Sequence, residues 1–480
     1  MILPRPATDS PRSAQQDRTA WIILLAALAM TVLEGAFRKW VPPFQGGIGR
    51  NVMYFSKDLI FASLLLMPRV KPLSAAQSTY ENWLVPGCVL LSVGSLASCL
   101  HGVNIVGALL SAKALILLPW ISWLAMPRLA GLPLRWVLWL LLACTVLNFA
   151  LGTEQNRLPS DHILNHYADA DMQVVAMESG VRATGTFSYI AGLALICAVG
   201  VWVGMAMLTL ARSPWENAGA WVALATGIGC GLASISRAPI ATAAIMFGGW
   251  MVGARIGLGV LSRGLLVGAG CLIPAYYLGL TSTFTKLGEG LIERQAGATD
   301  SFNERAFGQI GESFNALTMY PLGNGFGSEQ GGGQYYATGE PGFNHFENEL
   351  PRLVMESGVL GLAGFLVVCF GAILALQAAK KTAAAEMRPV LLATQIFLIP
   401  LFYGGVIFNH VASAFAWLIF TAVMACRELN PEISESPVAE ITPQPRRRRP
   451  RGRQRGARRA SRFLQGEPIT APESAPPEAS

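Results

Sequence analysis

Long apolar segments separated by short polar breaks occupy most of this 480-residue chain. Each holds about 16 to 24 residues, the length that an α-helix needs to cross a bilayer. The segments lie near 20–36, 51–67, 84–100, 105–125, 133–151, 189–210, 218–234, 238–253, 260–280, 353–376, 389–408 and 410–426. The pattern predicts an all-α polytopic membrane protein with about twelve transmembrane helices.

The composition supports this prediction, because 52% of the residues are hydrophobic and only 14% are charged. A soluble protein of this length has no need of so much apolar surface. The first segment lacks the cleavage site of a signal peptide and is expected to stay as an anchor. The eight cysteines lie in or beside apolar segments, so we expect small buried side chains rather than disulfide bonds.

The positions of Lys and Arg predict the orientation, because cytoplasmic loops carry the positive excess. With residues 1–19 inside, every predicted inner loop of the transmembrane domain, 20–426, is basic. These loops contain Arg69 and Lys71, Arg128 and Arg135, Arg212, Arg255 and Arg263, and Lys380, Lys381 and Arg388. Both termini are therefore predicted to be cytoplasmic.

The C-terminal segment, 427–480, mixes Pro, Glu, Ser and Arg without apolar periodicity and is predicted to be disordered. It carries ten arginines between Arg446 and Arg462. Beside the inner leaflet such a run favours binding to anionic lipids, or serves only to fix the topology. We expect no nucleic-acid partner.

Two long polar segments face outward in this topology, 152–188 and 281–352. The second lies between the ninth and tenth helices and is expected to be partly helical. Arg182 lies in the first segment, Arg305 in the second, and Arg237 at the outer end of the eighth helix. Arginine binds phosphate through a planar fork of donors that stays charged, so the three side chains predict a lipid phosphate or pyrophosphate site.

Three further charges lie inside predicted helices, in the outer half of the membrane: Lys57, Asp58 and Lys113. Lys57 and Asp58 are expected either to form an internal ion pair that locks helices or to serve function. Lys113 either reaches the outer interface along its own side chain or contacts the ligand, so it is a fourth candidate for phosphate binding.

Neither a metal nor a cofactor is expected. His162 and His166 have the four-residue spacing of helical metal ligands, but no third ligand is apparent, and they are predicted to lie on a solvated helix face. The glycine-rich run that begins at Gly323 lacks the Gly-Lys-Ser/Thr ending of a nucleotide-binding loop and is predicted to form turns.

Four short motifs occur in order along the chain. They are Arg182 before Gly185-Thr186-Phe187, Ser236-Arg237 at a helix start, Arg305 before Pro321-Leu322-Gly323-Asn324-Gly325, and Asn348 before Glu356-Ser357-Gly358-Val359-Leu360-Gly361. Together with the helix count and the late position of the long loop, they resemble the O-antigen ligase and O-antigen polymerase superfamily. The resemblance covers most of the membrane domain.

The resemblance implies a function on the periplasmic face of the bacterial inner membrane. Such enzymes transfer a glycan from an undecaprenyl-pyrophosphate donor to a hydroxyl group of an acceptor, which is another glycan, the lipid A core or a protein. The leaving pyrophosphate gains charge as the glycosidic bond breaks, and fixed cations stabilise it. That role falls to Arg182, Arg237 and Arg305.

The chain departs from the superfamily at one position. The superfamily has a histidine directly before the asparagine that corresponds to Asn348, whereas this chain has Glu347 there and His345 two residues upstream. Glu347 is the first candidate for the base that activates the acceptor hydroxyl, and His345 is the second. Glu347 could instead pair with Arg352 or cap the next helix, and Glu356 could hold an arginine in place.

Two other functions stay open at this point. A flippase or transporter of lipid-linked glycans would also need cations for a phosphate headgroup, although it predicts charges in both halves of the membrane and often a repeated half, and neither is found here. A noncatalytic assembly partner is the other alternative, because the expected histidine is replaced.

Overall fold

Helices form almost all of the part of the chain that the computed structural model describes, which comprises residues 11–69, 74–101, 105–129, 131–168, 176–177, 180–255, 259, 309–327, 349–403 and 410–429. The α-helices are α1 (Pro11–Trp40), α2 (Gly47–Ser63), α3 (Ala75–Ser98), α4 (Ile105–Ala112), α5 (Leu118–Ala125), α6 (Leu134–Arg157), α7 (Ile190–Leu210), α8 (Pro214–Ala233), α9 (Arg237–Gly253), α10 (Gln309–Met319), α11 (Glu349–Thr382), α12 (Arg388–Tyr403) and α13 (His410–Ala425). A π-helical stretch, Lys113–Leu117, joins α4 to α5. Two short strands, β1 (Ala176–Met177) and β2 (Gly180–Val181), pair antiparallel.

Eleven of the twelve predicted segments coincide with these helices, and the segment at 260–280 lies outside the described residues. Five helical stretches are long and apolar enough to cross a membrane: Arg18–Trp40, Ile105–Arg128, Leu134–Arg157, Ile190–Leu210 and Leu350–Thr382. Met387–Phe402 and Val411–Ala425 are apolar but shorter. The protein is therefore a helical membrane protein, as the hydrophobic pattern predicts.

The two polar segments have different boundaries from those predicted. Because α6 continues to Arg157, the first six residues of 152–188 are helical. Within 281–352 the structure describes α10, a turn at 320–327 and the first residues of α11, which begins at Glu349. The rest of that segment, and the predicted tail beyond Leu429, lie outside the described residues.

The helix α7 lies deepest in the bundle. Of its most apolar window 83% is buried, compared with 44% to 56% in the other four membrane-length helices. Its apolar residues are not confined to one side, which is the pattern of a helix enclosed by neighbours. It packs on α6, α8, α9 and α12.

Among the described helices, α3 and α11 make the most extensive contact, and glycines allow their close approach. A Cβ atom at Gly94 would lie 2.6 Å from the amide nitrogen of Gly361, and one at Gly87 would lie 3.0 Å from the carbonyl oxygen of Gly364. Small residues at such contacts let helix backbones pack closely inside membranes. The pair holds the start of α11 beside the rest of the bundle.

Arginines and carboxylates gather at one end of the bundle, which we call the basic end. Arg135 pairs with Glu216 at 3.1 Å, Arg212 pairs with Glu386 at 3.7 Å, and Arg128 Nε donates to the Met67 carbonyl at 2.8 Å. These contacts join loops that the Lys and Arg pattern assigned to one side of the membrane. The opposite end, which we call the site end, contains the end of α1 and the starts of α2, α4, α7, α9 and α11.

Candidate functional site

The turn formed by residues 182–188 is the centre of the site end, and buried amides hold its shape. Gln155 Oε1 accepts from the backbone amides of Thr184 at 3.0 Å and Gly185 at 2.8 Å. Asn148 Oδ1 accepts from the amide of Thr186 at 2.9 Å. Gly185 has a φ of +59°, a left-handed conformation that favours glycine. The Gly-Thr motif is therefore a rigid, fully bonded turn.

The first helix packs directly on this turn. Thr186 Oγ1 donates to the Val32 carbonyl of α1 at 2.6 Å. A Cβ atom at Gly35 would collide with the backbone of residues 186–188, so only glycine allows this approach. As a result, the charged residues at the end of α1 lie beside the turn.

Arg182 contacts the residues that lead into the helix of Arg237. The Arg182 guanidinium donates to the Ser234 carbonyl at 3.2 Å through Nε and to Ser236 Oγ at 2.7 Å through Nη2. Ser236 is the residue before α9, and Arg237 is the first residue of that helix. Arg237 is half-buried and makes no side-chain hydrogen bond or ion pair with the described residues. The Arg182 guanidinium thus lies beside the N-terminus of α9, which is the positive end of the helix dipole.

A second cluster of charges surrounds Tyr54 of α2, and we call it the Tyr54 cluster. Its charged members are Glu34, Arg38, Lys57, Asp58 and Lys113, with only 1% to 7% of each residue exposed. The Arg38 guanidinium carbon and the Lys57 and Lys113 ammonium nitrogens lie 5.3, 4.6 and 4.7 Å from the centre of the Tyr54 ring. Three cations thus share one aromatic ring, which attracts them electrostatically.

Each ion pair in the Tyr54 cluster joins two helices or two turns of one helix. Glu34 binds Lys57 through Oε2 and Arg38 through Oε1, the latter at 3.2 Å. Asp58 Oδ2 accepts from Lys113 Nζ at 2.8 Å. Lys57 and Asp58 therefore do form internal ion pairs that lock helices, but each has its partner on another helix, because adjacent residues of a helix point in different directions.

Lys113 does not follow the expectation that its side chain extends to the outer interface. Its side chain is buried, and its charge is balanced by Asp58. As a candidate for phosphate binding it is therefore weaker than the sequence indicated. The π-helical stretch that begins at Lys113 lies in the interior of a membrane-length helix, where such stretches often mark functional positions.

Lys39, the residue before the last in α1, has neutral partners only. Its Nζ donates to Thr184 Oγ1 at 2.9 Å and to the Gly185 carbonyl at 2.7 Å, and it lies 4.5 Å from the centre of the Trp40 ring. Lys39 is 3% exposed. Within the described residues it has no carboxylate partner, so no counter-ion offsets the burial of its amino group beside the 182–188 turn.

The two glycine motifs late in the chain bind each other through their backbones. The Val359 amide donates to the Pro321 carbonyl at 2.9 Å, and the Asn324 amide donates to the Met355 carbonyl at 2.6 Å. These bonds lie where α11 is interrupted at Gly358, whose φ of +63° and ψ of −159° are not helical. The break leaves backbone groups without helical partners, and the 320–327 turn supplies them.

Glu356 links this junction to α4. Its Oε2 accepts from Ser111 Oγ at 3.0 Å, and its Oε1 lies 3.7 Å from Arg352 Nε. The interpretation of Glu356 as a residue that holds an arginine is confirmed, and the arginine is Arg352. A Cβ atom at Gly107 of α4 would lie 3.0 Å from the carbonyl carbon of Gly327, so the same turn also packs on α4.

The predicted helix around His162 and His166 is wrong. These residues flank a short 3₁₀ turn, Ile163–Asn165, and His162 Nδ1 accepts from the Leu164 amide at 3.2 Å. Asn165 Nδ2 in turn donates to the carbonyls of Gln155, Leu158 and Pro159. The residues 155–166 therefore form a bonded loop that supports the 182–188 turn. No group of three His, Cys, Asp or Glu side chains in the described part of the chain could hold a metal ion.

Three candidates, Arg305, His345 and Glu347, lie outside the described residues. The sequence analysis missed Arg38 and Lys39, because it ended the first helix at residue 36, and it also missed Glu34, which lies inside that predicted helix. The available signal was the run of charges in Glu-Gly-Ala-Phe-Arg-Lys-Trp, where Glu34 and Arg38 have the spacing of an ion pair on one helix face.

Comparison with known proteins assigns no family to this arrangement. No protein-family model matches the chain, and no curated protein has significant sequence similarity to it.

Proposed function

We propose that this protein transfers a glycan from an undecaprenyl-pyrophosphate donor to an acceptor hydroxyl at the periplasmic face of the bacterial inner membrane. In this proposal the chain crosses the membrane about twelve times, both termini are cytoplasmic, and the site end faces the periplasm. The acceptor is another glycan, the lipid A core or a protein.

One observation carries the proposal: the motifs that resemble the O-antigen ligase and polymerase superfamily contact one another in pairs. Arg182 binds the serine before Arg237, although the two arginines are far apart in sequence. The Pro321–Gly325 motif binds the Glu356–Gly361 motif at the break in α11. These contacts support the interpretation of the motifs as parts of one site.

The electrostatics of the site end suit a departing pyrophosphate. The buried residues Arg38, Lys39, Lys57 and Lys113 outnumber the carboxylates Glu34 and Asp58 by two charges, and Arg182 and Arg237 lie at the same end. Cations fixed in a site with little water stabilise developing negative charge without having to reorganise. Such a site favours the transition state, in which the charge on the leaving group is growing, over the bound donor.

An apolar groove between α11 and α12 supports a donor that carries a lipid chain. It is lined by Leu350, Phe365, Leu366, Cys369, Phe370, Ile373, Ile399 and Phe402. Leu350 lies two residues before Arg352, which pairs with Glu356 at the junction of the glycine motifs. In the proposal an isoprenoid chain lies along this groove, and its pyrophosphate reaches the cationic groups of the site end.

The acceptor hydroxyl needs a base, and Glu347 stays the first candidate and His345 the second. Both precede α11 by a few residues in sequence. A carboxylate acts as a base on a sugar hydroxyl when its surroundings bring its affinity for protons close to the working pH. A comparison of Glu347→Ala with His345→Ala for glycan transfer would identify which of them acts.

The test is an Arg237→Ala variant expressed from the native locus, with Arg212→Ala as the matched control at the basic end. Loss of one donor to a developing oxyanion typically costs about 100-fold to 1,000-fold in rate. Surface glycan should therefore fall by that order in Arg237→Ala and be unchanged in Arg212→Ala. The measurements are electrophoresis of the surface glycan and mass spectrometry of the lipid-linked donor. Unchanged glycan in Arg237→Ala would refute the proposal.

The side on which the donor accumulates separates the transferase from a flippase. If transfer fails, the lipid-linked glycan should accumulate on the periplasmic face, where a glycan-cleaving enzyme added to spheroplasts can reach it. If flipping fails, the donor should accumulate on the cytoplasmic face and be protected from that enzyme. A noncatalytic partner predicts that purified protein releases no undecaprenyl pyrophosphate from the donor in the presence of acceptor.

A further inference from the structure

Lys39 is the most thoroughly buried cation without a carboxylate partner in the described part of the chain. Its two bonds go to a hydroxyl and a carbonyl of the 182–188 turn. By contrast, Lys57, Arg38 and Lys113 each have a carboxylate. A buried charge that lacks a counter-ion costs several kcal/mol, roughly, in protein interiors and membranes. Lys39 therefore needs an explanation beyond its visible contacts.

Support of the turn does not supply that explanation. Gln155 already accepts from the amides of Thr184 and Gly185, and its own Nε2 donates to the Gly185 carbonyl at 3.3 Å. Asn148 and Val32 bind Thr186. A neutral donor in place of Lys39 would complete the turn at a much lower desolvation cost. What the lysine adds is an amino group that can carry a positive charge.

The geometry leaves one donor of Lys39 available. An ammonium group has three N–H donors, and the structure uses two of them within the described residues. Thr184 and Gly185 belong to the same turn as Arg182, which binds Ser236 beside Arg237. The 182–185 segment is thus contacted by the Lys39 ammonium and carries the Arg182 guanidinium.

We infer that Lys39 supplies the buried positive charge that binds the pyrophosphate of a polyprenyl donor, together with Arg182 and Arg237. The inference rests on the proposed function and assigns to Lys39 the role that the sequence gave to Lys113. Lys113 is neutralised by Asp58, whereas the charge of Lys39 is balanced only when an anion arrives. The incoming pyrophosphate accepts the unused N–H of Lys39 while the bonds to Thr184 and Gly185 keep the ammonium in place.

The experiment measures binding of farnesyl pyrophosphate to the purified full-length protein in detergent. Farnesol, which lacks the pyrophosphate, is the control ligand, and inorganic pyrophosphate shows whether the headgroup alone is bound. The variants are Lys39→Gln, which keeps a hydrogen-bond donor without the charge, and Lys39→Arg, which keeps the charge. Lys381→Gln is the matched control, because Lys381 is exposed at the basic end.

We expect Lys39→Gln to bind farnesyl pyrophosphate at least about tenfold more weakly than the wild type, because it loses one charge-assisted hydrogen bond. Lys39→Arg should stay within a few-fold of the wild type, and Lys381→Gln should equal it. Thermal unfolding without ligand should show that Lys39→Gln is folded, since the release of an unbalanced buried charge does not destabilise the free protein.

Two results would overturn the inference about Lys39 and leave the proposed function standing. One is equal binding by Lys39→Gln and the wild type, which would make Lys39 a purely structural donor. The other is failure of Lys39→Gln to fold while Lys39→Arg folds, which would show that the ligand-free protein itself requires the charge. If the wild type binds neither pyrophosphate compound, the proposed function fails as well, so the two failures are distinguishable.

Discussion

The basic end and the site end of this molecule both carry many charges, but they hold them in opposite ways. At the basic end, the ion pair of Arg212 with Glu386 is exposed, with 71% and 65% of the side chains accessible. At the site end, Lys57 and Glu34 form a pair with side chains 0% and 3% accessible. Water screens the first pair and is excluded from the second. Charges of the first kind cost little free energy, whereas those of the second kind cost much more and need a structural or functional reason.

The largest difference between the ends should appear when Glu34 is neutralised. Glu34→Gln leaves both Arg38 and Lys57 without their shared carboxylate, and we expect a loss of about 3–5 kcal/mol in the free energy of unfolding. The matched control, Glu386→Gln, should change it by about 1 kcal/mol or less. Thermal unfolding in detergent measures both. Equal effects would show that the buried pair is no stronger than the exposed one.

A double-mutant cycle on Asp58 and Lys113 tests whether the Tyr54 cluster is a set of mutually dependent charges. Asp58→Asn alone should destabilise the protein by about 3 kcal/mol, because Lys113 is then buried without a partner. The double variant Asp58→Asn, Lys113→Met should be more stable than either single variant. If the effects simply add, the two residues are not coupled and the assigned pairing is wrong. The same cycle on Arg212 and Glu386 should give coupling near zero.

The smallest of the three expected differences between the two ends comes from backbone strain. At the site end, an added Cβ in Gly358→Ala would lie 2.6 Å from both the Leu322 carbonyl carbon and the Gly323 amide nitrogen, at a φ that alanine rarely adopts. We expect the free energy of unfolding to fall by about 2 kcal/mol. Towards the basic end, Arg255 has a φ of +53°, so Arg255→Gly should leave stability unchanged or raise it by up to about 1 kcal/mol. Calorimetry would measure the change in the free energy of unfolding for both variants. A Gly358→Ala variant as stable as the wild type would contradict the described junction.

The positions of the helices could be predicted from the sequence because hydrocarbon imposes a length and a composition on every crossing. The basic end could be predicted as well, since Arg128, Arg135 and Arg212 recur at each second loop. The ion pairs could not, because Lys57 and Lys113 find their partners 23 and 55 residues away on other helices. Which carboxylate a lysine meets depends on how the helices rotate as they pack.

The site was predicted in part for the same reason. Arg182 and Ser236-Arg237 belong to motifs that the sequence singled out, and in the structure Arg182 donates to Ser236. Lys39 lies in none of these motifs, and its contact with the turn depends on Gly35, which lets α1 approach closely enough for the amino group to reach Thr184 and Gly185. Only the packing of α1 shows that this lysine is buried.

The pairing of Asp58 with Lys113 has a consequence for how the protein is made. As α2 leaves the ribosome, Lys57 can already find Glu34 in the preceding helix, but Asp58 has no counter-ion until Lys113 is synthesised 55 residues later. At the translation rates of roughly 5–20 residues per second, that delay lasts several seconds. We therefore expect the second helix to enter the bilayer before the Asp58 carboxylate has its partner, and to pack fully only when the fourth segment brings Lys113. We therefore expect the first four segments to complete their packing together rather than one helix after another.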